Sequence, residues 1–305
     1  MRPDLTPYLL PDGNVQIAFS GGRTSAYMLH QILEANGSLP DRAVVSFQNT
    51  GREMPETLDF VQECGDRWGV RIVWLEYRLR WTGAPHDVRN HVFDTGAHSY
   101  DIVNHNSASR NGEPMAQLLE YYGFIPTAIS RWCTGRLKMK TGASYLKDQG
   151  WTEWTSATGI RFDEDKRAKA QGKKKDRSIA WHPLFNAKVE KEDVARFWRG
   201  SPFDLQLPNN NGVTFLGNCD GCFLKSEAKR ALLARSHPAR AEWWNALEQK
   251  YKGKRAELNK GCPETDTFNK ASSWSDVIEM VRTKADWIFD AEDALCQADD
   301  GECTA

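Results

Sequence analysis

The sequence predicts an α/β fold: an open parallel sheet with helices on both faces, followed by a mainly helical C-terminal region. Three observations predict it. Apolar runs at residues 15–19 (VQIAF), 43–48 (AVVSFQ) and 70–76 (VRIVWLE) have the make-up of buried strands. Between them, residues 25–35 read as a helix, and residues 55–68 carry Leu58, Phe60, Val61, Cys64 and Trp68 at helical spacing. Strands alternating with helices of this length form the crossover units of a parallel sheet.

The pattern weakens over residues 78–130 into polar, His-containing loops with one helical piece at 115–122. Residues 137–147 read as a helix, and 153–158 (EWTSAT) as a further strand running into Gly159-Ile160-Arg161. Between Arg161 and Arg177 eight Lys or Arg face four acids. Such a run is either a solvated, mobile loop, or a lid that grips phosphate or a nucleic-acid backbone. Order resumes at 181–184, with a helix at 191–199, a turn cluster at 209–212, strong helix over 225–251 and a last helix pair over 274–295. The acidic tail at 299–305 reads as frayed.

Composition narrows the function. The formal charge of −1 argues against a generally basic nucleic-acid binder, though not against a local basic face. No apolar stretch approaches the roughly 20 residues of a membrane span. The first 13 residues carry Pro, Asp and Gly rather than a charged-then-apolar leader. Seven Cys, an odd number spread over a long chain, fit reduced thiols, metal ligands or redox chemistry. A cytoplasmic location is therefore expected.

Ser20-Gly21-Gly22-Arg23-Thr24-Ser25 lies between the first strand and helix, where phosphate-binding loops work. Two glycines admit the backbone to a phosphate, the helix N-terminus adds partial positive charge, and Ser20, Thr24 and Ser25 offer hydroxyls. Arg23 could add a full charge. The plain alternative is a Gly-rich turn of the kind many α/β proteins contain. The second strand ends in Asn49-Thr50-Gly51-Arg52-Glu53-Met54-Pro55-Glu56-Thr57, again at a carboxyl end, where open sheets take ligands.

Together these two motifs resemble the phosphoadenosine phosphosulfate reductase family of the PP-loop ATP pyrophosphatases, which have the adenine nucleotide alpha hydrolase-like fold. The resemblance continues through Arg131-Trp132-Cys133-Thr134-Gly135-Arg136-Leu137-Lys138, then Gly159-Ile160-Arg161 with Glu164 and Arg167, and ends at Cys219-Asp220-Gly221-Cys222. It implies a nucleotide-binding domain over residues 1–205 and a Cys-containing helical region over 206–305. ATP would lie on residues 20–25 with Thr50, Gly51, Glu53 and Gly159, and Arg136, Lys138 and Arg161 would act at its phosphates. Thr24 stands where many PP-loop enzymes have a metal-binding acid, so magnesium would lean on Asp163 or Glu164.

Cys219-x-x-Cys222 presents two sulfurs to one point, as zinc, an iron–sulfur cluster or a redox disulfide requires. The resemblance adds Cys133, in the family's Cys-x-x-Arg position, with Trp132 where cluster-bearing relatives have a second Cys. Cys262 is the candidate fourth ligand of a 4Fe-4S cluster or zinc. Cys64 reads as core, and Cys303 in the terminal Glu302-Cys303 as a coincidence with the reductase tail. The leading expectation is an ATP-dependent sulfur transferase whose acceptor is a nucleotide or nucleic acid. The alternatives are an adenylylsulfate or phosphoadenylylsulfate reductase, and a non-catalytic nucleotide-binding module with structural zinc. A homodimer is left open.

Overall fold

Val15, Ile17 and Phe19 alternate into a fully buried core while Gln16 and Ala18 face the other way, the period of a strand. The computed structural model describes residues 4–128, 130–171, 177–210, 213–258 and 267–283. Its sheet is built from β1 (Val15–Ala18), β2 (Ala43–Asn49), β3 (Ile72–Leu79), β4 (His98–Val103), β5 (Trp154–Ala157) and β6 (Ser178–Trp181), in the order β4-β3-β2-β1-β5-β6. All neighbours are parallel except β4, which runs antiparallel to β3. Ile17 pairs with Val45 on one side and Ala157 on the other, so the carboxyl ends of β1, β2 and β5 lie side by side.

The crossovers are α1 (Arg23–Asn36) and α2 (Pro55–Trp68). Met28, Leu29 and Ile32 of α1 pack with Leu58, Phe60, Val61 and Cys64 of α2 on one face of the sheet, where Trp74 meets Phe47 edge-on at 5.0 Å. Fully burying such side chains contributes about 1.5–3 kcal/mol each. Val73 and Leu75 point to the opposite face, against Tyr145 and Leu146 of a later helix. Helices therefore cover both faces.

After β4 come α3 (Glu113–Tyr122), a seven-residue π-helix (Thr134–Lys140) and α4 (Thr141–Asp148), which carries Tyr145 and Leu146. Next are α5 (Asp165–Gln171), α6 (Pro183–Asn186), α7 (Lys191–Gly200) and the two-residue strands β7 (Asn209–Asn210) and β8 (Val213–Thr214). The C-terminal region consists of α8 (Glu227–Ser236), α9 (Pro238–Tyr251), α10 (Lys254–Leu258) and α11 (Trp274–Thr283). One buried apolar cluster runs from Val15 through Trp244 to Val277, joining this region to the sheet.

Three expectations need correcting. Residues 78–130 contain the strand β4, which as an edge strand leaves Ile102 58% exposed and so carries no clean apolar alternation. The helix over 225–251 divides at His237, because Pro238 has no N–H to continue it. The charged stretch after Arg161 holds α5, while 172–176 lie outside the described residues, as do 284–305, which include the expected second helix of the last pair and the acidic tail. Among the described residues no helix is long and apolar enough to cross a membrane.

Candidate functional site

The phosphate-type loop closes on its own hydroxyls. Ser25 Oγ donates to the Gly22 carbonyl at 3.0 Å, accepts from the Ser20 N–H at 3.2 Å, and lies 2.9 Å from Ser20 Oγ. Gly21 sits at φ +79°, and a Cβ there would lie 2.7 Å from Thr57 Cγ2. Gly22 is the N-cap of α1 at ordinary extended angles and brings no capping side chain, so the first-turn N–H groups keep their outward donors. Behind the loop, Gly159 at the end of β5 lets the two backbones touch: a Cβ would stand 3.3 Å from Ser25 Cα and 3.4 Å from Ser25 N.

Arg161 is 1% exposed beside this loop and donates to Thr24 Oγ1 at 3.3 Å and to both oxygens of Asp163, at 2.9 and 3.2 Å. Glu164 accepts from the Arg161 N–H at 3.0 Å and pairs with Arg167. Both acids considered for magnesium are thus spent on arginines. They do not fit a magnesium site in this arrangement. Arg23 turns away from the loop it belongs to. Its guanidinium forks onto Asp204 at 2.6 and 2.8 Å and reaches Thr214 Oγ1 at 2.8 Å.

At the end of β2, Glu53 is 2% exposed and accepts from the Thr50 N–H and hydroxyl, each at 2.9 Å. Burial pushes its carboxyl up, and Lys138 and the Thr50 bonds pull it back. The Gly51 carbonyl takes the N–H of Gly112 at 2.8 Å. Arg52 lies 4.4 Å from the centre of the Trp243 ring and donates to Asp220 at 2.9 Å, while the Asp220 N–H donates to the Arg52 carbonyl at 2.9 Å. Asp220 is fully buried and also receives Trp244 Nε1 at 2.8 Å and Arg240 at 2.5 Å. A Cβ on Gly221 would lie 2.1 Å from Trp244 Nε1. Asp220 therefore docks the CxxC onto the β2 loop, and Gly221 lets it lie against Trp244 of α9.

That docking brings Cys133, Cys219 and Cys222 to the wall of one cavity, with Thr50, Lys138 and Asn218. Cys133 enters it from the N-cap of the π-helix, a form of helix often found at functional sites. Burial pushes the Cys219 thiol well up, and Asp220, Glu53 and Cys133 act on it in the same direction. Lys138 donates to Asn218 at 3.4 Å, and Asn218 holds a left-handed backbone at φ 55° immediately before the thiol. Buried Lys225 donates to the Gly217 carbonyl at 2.9 Å, and desolvation lowers it to about 8 against the pull of Cys222 and Asp220. Among the described residues no group of three or more His, Cys, Asp or Glu side chains is placed so that it could hold a metal ion.

Of the residues read as acting at the phosphates, only Arg161 lies at the loop. Lys138 faces the thiol cavity, and Arg136 donates to the Tyr122 hydroxyl at 3.0 Å. Cys262 and Cys303 lie outside the described residues. Asp204, Asn218, Asp220 and Lys225 were not singled out from the sequence, and only Asp220, inside the CxxC, carried a signal that could have found it.

The sequence model of the phosphoadenosine phosphosulfate reductase domain matches residues 14–204. It thus takes in Thr50, Cys133 and Lys138 but stops before the CxxC. A protein of Escherichia phage lambda described as uncharacterized nin region protein ORF290 is 34% identical over 218 residues, 71% of this chain and 68% of that protein.

Proposed function

The chain belongs to the phosphoadenosine phosphosulfate reductase domain family, a nucleotide-binding PP-loop family, and from that premise we propose that it is an ATP-dependent sulfur-transfer enzyme. The single observation that carries this reading is the cavity in which thiols from two distant stretches, Cys133 and Cys219/Cys222, meet Thr50 of the β2 loop. Cluster-bearing reductases of the family carry a second Cys where this chain has Trp132, so the set of thiols here differs from theirs.

ATP lies with its phosphates on the loop of residues 20–25. An oxygen of the acceptor attacks the α-phosphorus, the α–β bridging bond breaks, and pyrophosphate leaves with the electron pair. A sulfur nucleophile then adds to the activated carbon, and AMP departs with the oxygen. The N–H groups of α1 and the Arg161 guanidinium meet the charge that develops on the phosphates, and the fixed loop supplies orientation.

Thiolate sulfur suits both zinc and an iron–sulfur cluster, and the three thiols line one cavity. Cys133, Cys219 and Cys222 would hold an iron–sulfur cluster, which supplies a site for the sulfur to be transferred. Lys138 and Lys225 are the buried cations beside the negative charge of such a site.

Anaerobic purification with a visible spectrum and iron, sulfide and zinc analysis, together with pyrophosphate release from ATP, tests the proposal. Iron and sulfide near four each per chain, lost when Cys133 is changed to Ser, is the expected result. Zinc alone, or sulfite released from adenylylsulfate without ATP cleavage, would replace it with the structural-zinc or reductase reading.

A further inference from the structure

The π-helix Thr134–Lys140 has two faces. Thr134, Leu137 and Lys138 follow Cys133 into the thiol cavity. Arg136 instead joins an aromatic wall: it donates to Tyr122, which stacks on Trp132 at 4.7 Å and 26°. The wall continues to Trp81, 47% exposed, which leaves the carboxyl end of β3 and stacks on Tyr121 at 6.1 Å and 23°. Arg131, Arg136 and Lys140 bring cations to it, and at its Trp81 end Asp94 accepts from the Thr82 N–H at 2.8 Å. Arg131 and Lys140 are exposed, and Met139 beside them is 40% exposed.

Cations interleaved with aromatic rings, Trp81 exposed and Trp132 half-buried, suit a backbone of phosphates whose unpaired bases can stack. A paired duplex hides those ring faces, and a small metabolite needs no row of cations. We propose that Trp81, Trp132, Arg131, Arg136 and Lys140 form a face for single-stranded polynucleotide that presents one base to the thiol cavity. The acceptor of the sulfur is then a base within a strand. This names the acceptor of the sulfur-transfer reading above and rests on it for the chemistry, but the binding face stands on its own observations.

Fluorescence anisotropy with labelled 12-nucleotide single-stranded DNA, single-stranded RNA and duplex DNA over a salt series tests it on the full chain. At least one single strand should bind more tightly than the duplex, and the two single-strand arms tell DNA from RNA. Trp81→Ala should weaken binding about five- to tenfold, and Lys140→Gln should reduce the salt slope by about 0.7, with melting temperatures within a few degrees of the parent. No single-strand binding at low salt, a preference for duplex, or affinities that neither variant moves would overturn the face. Pyrophosphate release from ATP, followed in the same preparations, separates the two readings. Turnover driven by a free nucleoside without strand binding removes the face and keeps sulfur transfer; strand binding without turnover does the reverse.

Discussion

The phosphate loop and the thiol cavity lie at neighbouring strand ends but are built in different ways. The loop is six consecutive residues held by their own hydroxyls, with Ser25 bonded to Ser20 and Gly22. The cavity has no local cause: Asp220, which receives Arg52, Arg240 and Trp244, holds Cys219 on the β2 loop, and Lys138, donating to Asn218, ties the Cys133 helix to it. An arginine follows the glycine in each strand-end loop, and each is taken by an acid of the chain's later part. The Arg23–Asp204 pair is at the surface on the acid side, at 31% exposure, whereas Asp220 is wholly enclosed. The same pairing is therefore a tether in one place and the support of a site in the other.

The largest effect should come from Asp220→Asn. Removing one partner of a buried ion pair costs about 3–5 kcal/mol, so urea denaturation should show a loss of that order and the three thiols should react faster with a thiol reagent. The loop does not depend on Asp220, so ATP should still raise the melting temperature of the variant. Loss of the ATP response would mean that the two regions are one cooperative unit and would break the contrast.

A smaller effect separates the two glycines of the loop. Gly21→Ala forces an alanine to φ +79° against Thr57, at about 1–3 kcal/mol, and should abolish the nucleotide-induced rise in melting temperature. Gly22→Ala, at ordinary N-cap angles, should cost under about 1 kcal/mol and keep that rise. Equal behaviour of the two variants in a thermal shift series with ATP would show that the loop geometry does not govern binding.

The smallest effect concerns pH and belongs to neither region. His98 is lowered from 6.5 to about 4 by burial, then by Arg136 and Lys140. The folded protein therefore prefers a neutral ring, and this contribution is complete above 6.5 and declines as pH falls toward 4. The melting temperature should drop over that window, and His98→Gln should flatten the drop. A variant profile as steep as the parent's would assign the acid sensitivity to other groups.

Much of the fold was legible because its signals are local. The apolar runs of β1, β2 and β3, the helical spacing of α2 and the glycines of the first loop each follow from neighbours in the chain, so the parallel sheet and the glycine-rich turn between β1 and α1 could be read directly. Edge strand β4 could not, since a strand covered on one side by its own partner needs no apolar alternation. The roles of individual charges could not be read either. An arginine beside two glycines looks the same in sequence whether it faces a phosphate or Asp204, and although helical spacing puts Arg136 and Lys138 on opposite sides, only the packing around that helix says which side is the aromatic wall and which the cavity. Residue type and spacing determined which elements form and which chemistry is available. Where each buried charge finds its counter-charge was decided by tertiary packing, because desolvation penalises every unpaired alternative and the partner can lie anywhere in the chain.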